Sequence, residues 1–174
     1  ASDNTRAARA VFAALQALRI ERGPTRTTLE RPEPASPEFI AITAEYRADS
    51  APALARVLRE CAITDCAGSR KEIFAGLTNS LEKLIAIRKE VDSALRVPFS
   101  NRRASIAADF NLASTDVIDR LEGMFSFLDE KVRMVDAETA ELIAIKQLAW
   151  LARDGLGLER NFVIEGLNAG RFSQ

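Results

Sequence analysis

The chain has 174 residues and a formal net charge of −1, which suits one domain with a real core or two small bundles sharing long helices. Hydrophobic residues, chiefly Ala, Leu and Ile, make up 47 % and aromatics only 6 %, the profile of helical packing. There is no histidine and no long Lys/Arg run, which argues against zinc and di-iron sites, the usual general base and a nucleic-acid-binding face.

Ser2 or Asp3 is placed to cap a first helix that runs to about Arg22, where Gly23-Pro24 is expected to stop it. Phe12, Leu15, Arg19 and Arg22 fall on one stripe of that helix. Residues 23–36, GPTRTTLERPEPAS, carry three prolines without periodicity and read as a Pro-rich crossover loop. Ser36 with Pro37 in the first turn opens a second helix containing Phe39, Ile40, Ile42 and Tyr46. Asp49 or Ser50 before Pro52 predicts a kink or break near residues 49–52, followed by a restart through Leu54, Val57, Leu58 and Cys61.

After the turn at DCAGS, Ser69 is a plausible cap for a third helix with the stripe Ile73, Leu77, Leu81, Leu84, Ile87, Val91 and Leu95. Val97-Pro98 ends it, and Ser100 is expected to cap a fourth helix whose stripe is Ala104, Ala107, Asn111, Ser114, Ile118, Leu121, Phe125 and Leu128. Asp136, Glu138 and Glu141 place acids at the positive end of a fifth helix that continues to about Asn168, with Leu142, Ile145, Ala149, Ala152, Leu156, Val163 and Leu167 as its buried side. The expected fold is all-α: an antiparallel up-down helical bundle, four-helix-bundle-like, of about five helices.

Four arginines lean toward the seams of these helices: Arg19 and Arg22 on the first, Arg153 and Arg160 on the last. A permanently charged guanidinium in a seam needs a carboxylate or a bound anion. Glu21, Glu159, Asp154 or Asp109 is positioned to supply the carboxylate from within the protein. Alternatively Arg22 and Arg160 converge on a cavity that takes a small anion, with Gly155, Gly157 and Gly166 allowing close backbone approach.

Asn111, Ser114 and Thr115, with Asn101, Arg102 and Arg103, form a polar set that either completes a ligand cavity or is a solvated edge and capped helix start. Trp150, like Tyr46, reads as a packing residue. Cys61 and Cys66 are the only cysteines, either joined across a turn at Asp65 to Gly68 or packed as two thiols. No metal site, cofactor, nucleophile motif or phosphate loop is indicated, so an enzyme is not expected.

The segments LQALRIERGPTRTTL and IAIKQLAWLARDGLGLERNFVIEGLNAGRF resemble the opening and closing motifs of the NIT family, the nitrate- and nitrite-sensing type of bacterial receptor domain. LEKLIAIRKEVD in the middle fits more loosely, Pro24 stands where a serine is common, and Asn161 replaces the usual alanine. The resemblance implies a periplasmic or extracytoplasmic sensor domain spanning 1–174, excised from a longer membrane receptor with a chemotaxis, diguanylate-cyclase or histidine-kinase output. It implies nitrate or nitrite as a small anionic ligand held by Arg22 and Arg160. A small carboxylate is the other candidate ligand, and Arg19 and Arg153 are further candidate ligands from their seam positions. A homodimer is expected in the intact receptor because signalling through a membrane usually couples two subunits. The alternative is a helical structural or protein-interaction module of a membrane receptor that binds no small molecule.

Overall fold

A computed structural model describes residues 3–63, 71–133 and 137–169. Among them are five α-helices: α1 (Asp3–Leu29), α2 (Pro37–Ile63), α3 (Lys71–Ala94), α4 (Ile106–Arg133) and α5 (Ala137–Ala169), with one short 3-10 turn at Phe99–Asn101. The protein is an all-α helical bundle, as its composition and periodicity imply. The chain divides into two compact units, Ala1–Glu130 and Lys131–Gln174.

In the first unit α1 packs extensively along α2. Arg6 reaches Glu60 while Glu21 meets Ser50, so the two helices run antiparallel. Phe12 meets Phe125 and Arg22 meets Thr115, which sets α4 antiparallel on the other side of α1. Arg47 of α2 joins Asp92 of α3, and Ser80 of α3 joins Asp116 of α4, closing an up-down four-helix arrangement in which α1 and α3 face each other across a diagonal.

The core of α1 is built on small residues, Ala7, Ala8, Ala10 and Ala14, beside Val11, Leu15 and Leu18. A helix that touches α2 and α4 and faces α3 gains from alanine, which lets neighbours approach from several sides at no cost in helix propensity.

Two proline expectations are corrected. α1 does not stop at Gly23-Pro24; it continues to Leu29, so the crossover shrinks to residues 30–36. Pro24 removes one helical N–H, but Thr25, Thr28 and Leu29 are buried on the stripe already formed by Leu18 and Glu21, and their packing carries the helix past it. Thr27 Oγ1 also donates to the Gly23 carbonyl at 3.1 Å. Likewise α2 is one continuous helix through Pro52, with no break at residues 49–52; Ser50, Leu54 and Val57 keep one buried face on either side of the proline.

The start of α2 follows expectation. Ser36 Oγ accepts from the Phe39 N–H at 3.2 Å as an N-cap, and the Glu38 carboxyl lies below its ordinary range, held by a backbone N–H and by Ser36. α4 starts at Ile106 rather than at Ser100, because Phe99–Asn101 forms the separate 3-10 turn. The loops at that end are tied together: Ala35 N–H donates to Leu95 O at 2.8 Å and Phe99 N–H to Pro32 O at 2.9 Å.

The second unit contains α5, which begins at Ala137 and ends at Ala169, close to the expected bounds. Leu142, Ile145, Leu156 and Val163, expected on a buried side, are exposed. Among the described residues of its unit, α5 has no second long helix that would cover such a stripe.

Candidate anion-binding site

The most buried charge in the first unit is Glu21, with 0 % of its surface exposed. It occupies a core position of α1, three residues after Leu18 and four before Thr25. Its partner comes from α3, where Leu77, Leu81, Leu84, Val91 and Leu95 define the core stripe and Arg88 takes the slot between Leu84 and Val91. A core position on each of two diagonal helices therefore carries a charge, and the signs are opposite.

The geometry makes this burial tolerable. Arg88 Nε donates to Glu21 Oε1 at 2.8 Å and Arg88 Nη2 donates to Oε2, a two-pronged pairing of guanidinium and carboxylate. Ser50 Oγ donates to the same Oε2 at 2.5 Å and accepts from Arg88 Nη2 at 2.7 Å. Ser50 is itself fully buried on α2. Four hydrogen bonds join three helices here, and a buried ion pair of this kind holds only while its groups stay satisfied.

Arg47, one turn from Ser50 on α2, extends the cluster toward solvent. Its Nε lies 3.6 Å from Glu21 Oε1 and its Nη1 donates to Asp92 at 2.5 Å. Nε and Nη2 are buried, yet neither has a hydrogen-bond partner among the described residues. Above it opens a pocket of about 390 Å³ between α2 and the end of α3, lined by Ile40, Thr43, Ala44, Arg47, Ala48, Asp92, Leu95 and Arg96. Two guanidiniums, one carboxylate and an apolar wall thus share one opening, which is suited to holding an anion by directional hydrogen bonds.

The arginines singled out by spacing are distributed differently. Arg19 pairs with Glu122 of α4, and Arg22 Nη1 donates to Thr115 Oγ1 at 3.1 Å. Glu21 serves Arg88 across the diagonal, and Asp109 serves Arg103, so neither neutralises Arg19 or Arg22. Arg153 sits over the Trp150 ring at 4.4 Å, and Arg160 is exposed on α5. Arg19 and Arg22 belong to the first unit, Arg153 and Arg160 to the second. A Cβ at Gly155 or Gly157 would meet no atom within 4 Å, so close approach of a described neighbour does not explain either glycine. Cys61 is buried on α2, and Cys66 lies outside the described residues.

The polar set at the start of α4 splits in two. Arg102 is buried and turned inward: Nε donates to the carbonyls of Ala94 and Val97, Nη1 to those of Thr28, Leu29 and Arg31, and Nη2 to that of Glu33. One guanidinium thereby caps the C-termini of α1 and α3 and fixes both loops. Burial pushes its pKa below the ordinary arginine value. Arg103 instead points outward, where Glu90 and Asp109 raise its pKa, and hydrogen bonds from Arg103 hold both carboxyls below their usual range. Ser114 is buried, as its place on the stripe implies, and its Oγ donates to the Phe110 carbonyl at 2.8 Å, while Asn111 is only half-buried and Phe110 and Val117 join the buried face of α4.

No family model, curated protein or solved structure matches the chain. Among the described residues no helix is long and apolar enough to cross a membrane, and no group of His, Cys, Asp and Glu could hold a metal ion.

Proposed function

We propose that the chain is the ligand-sensing helical domain of a bacterial transmembrane signal-transduction receptor, placed outside the cytoplasmic membrane, homodimeric in the intact receptor, and that it binds a small anion. The observation that carries the anion is the α2/α3 pocket, to whose lining Arg47 and Arg96 each bring a guanidinium. The resemblance of the two end motifs to nitrate- and nitrite-sensing domains supports the class of ligand. It also keeps Arg22 and Arg160, each taken within its own unit, as alternative anion ligands.

Such a domain signals only if the ligand binds two helix arrangements with different affinity. Arg47 and Asp92 lie on α2 and α3, so an anion that competes with Asp92 for Arg47 acts directly on the contact between two helices.

A second reading, a receptor module with no small-molecule ligand, is favoured by the internal matching of Arg88, Arg102 and Arg19. Calorimetric titration with nitrate, nitrite and short carboxylates separates the two. Saturable heat that disappears in Arg47→Ala supports the anion site in the α2/α3 pocket. Heat lost only in Arg22→Ala or Arg160→Ala moves it to the end motifs, and no heat from any anion favours the module.

A further inference from the structure

Resting on the anion-sensing reading, we infer that the occupant of the α2/α3 pocket is an α-amino acid with an apolar side chain. A nitrate-sized anion occupies the space of about two water molecules, each about 30 Å³ in the liquid. It would leave most of a 390 Å³ pocket wet. The lining explains what the remainder holds. Ile40, Ala44 and Leu95 form an apolar wall, and Asp92 places a carboxylate beside the two guanidiniums.

A bare anion gains from Arg47 and Arg96 but is repelled by the carboxylate of Asp92, which is about half exposed. A zwitterion is repelled by neither sign. Its carboxylate takes the Nη1 of Arg47 that Asp92 gives up and is attracted by Arg96; its ammonium takes Asp92; its side chain lies on the apolar wall. The Arg47–Asp92 ion pair, 2.5 Å in this structure, is thereby exchanged for two charge-assisted contacts through the ligand. The exchange links α2 to α3 through the ligand instead of directly, so binding changes the tie between two neighbouring helices.

The test compares leucine with its two half-analogues, isocaproate, which lacks the ammonium, and isopentylamine, which lacks the carboxylate, by calorimetry on the full chain. Leucine should bind about tenfold or more tightly than isocaproate, equivalent to about 1.4 kcal/mol, and isopentylamine should be weaker still. Asp92→Asn should abolish the preference for leucine over isocaproate by weakening leucine and tightening isocaproate, with circular dichroism confirming an unchanged helix content. Equal affinity of leucine and isocaproate for the unaltered chain overturns the amino-acid inference and leaves the anion reading standing. Binding of none of these, nor of nitrate or acetate, removes both.

Discussion

Arg88 and Arg47 approach the same carboxylate and differ in one respect. Arg88 has its Nε and Nη2 bonded to Glu21 and Ser50, whereas Arg47 has one firm partner, Asp92, and a buried Nη2 with no hydrogen-bond partner among the described residues. A guanidinium bonded wholly inside the core holds helices together; one whose firm bond goes to a half-exposed carboxylate on the wall of a pocket can exchange that bond for a ligand. The contrast predicts that the two arginines separate cleanly under mutation, stability following Arg88 and binding following Arg47.

The largest effect is expected in the interior. Glu21→Ala or Arg88→Ala strands the opposite charge in the core and should lower stability by about 3–5 kcal/mol, read as a shift of the urea midpoint. Replacing both by leucine should cost less than either single change, because no orphan charge remains. A double variant as unstable as the sum of the singles would show that the pair is not coupled.

Next comes Arg102→Ala, which leaves the carbonyl ends of α1 and α3 without their donor and should cost about 2–3 kcal/mol. Arg102→Lys should recover only part of this, since an ammonium has three donors where six carbonyls accept from the guanidinium. Both are measurable by thermal unfolding.

A smaller effect is expected from Gly76→Ala. A Cβ there would clash with Arg120 Nη1, so the flexible guanidinium must move off α3 and give up its 2.7 Å bond to Ser80. Alanine gains in helix propensity what this loses, and the net change should stay under about 1 kcal/mol.

The smallest concerns the exposed Arg103 cluster. Glu90 and Asp109 have depressed carboxyl pKa values in the folded state, so their stabilisation is present above the ordinary carboxylate range and is lost as pH falls through the folded values. Arg103→Ala should therefore flatten the acid limb by slightly lowering stability at neutral pH while leaving stability below the folded carboxyl values unchanged. An acid limb of unaltered slope would place the pH dependence elsewhere.

Much of the scaffold was legible from sequence. Ser36-Pro37 opens α2, and the acid-rich stretch after residue 136 opens α5, because caps and dipole complements are local signals. Pro24 misled, since a Gly-Pro pair is a strong local stop while Thr25, Thr28 and Leu29 continue the stripe only weakly in apolar terms; packing overrode the local signal.

The centre of the site was missed for a related reason. Positions 77, 81, 84, 88, 91 and 95 alternate four and three, yet a stripe read for apolar residues passes to Ile87 and skips Arg88. Glu21 drew notice only as a neutraliser for adjacent arginines, although it holds the seam position that Arg22 was expected to hold. Recognising the pair requires opposite charges in core slots of two different helices, information that no single helix contains. Arg47 carried no signal beyond being an arginine on an amphipathic helix, because its unmet nitrogen is a property of the packed unit.

The most direct measurement is calorimetric titration with leucine and isocaproate of the unaltered chain and of Arg47→Lys, alongside urea unfolding of both. Lysine keeps a cation near Glu21 and Asp92 but removes the fork. Arg47→Lys should unfold at nearly the same urea concentration as the unaltered chain and lose at least about tenfold in affinity for both ligands. Undiminished affinity in Arg47→Lys, or a loss of stability as large as that of Arg88→Ala, would contradict the division between a structural arginine and a binding one.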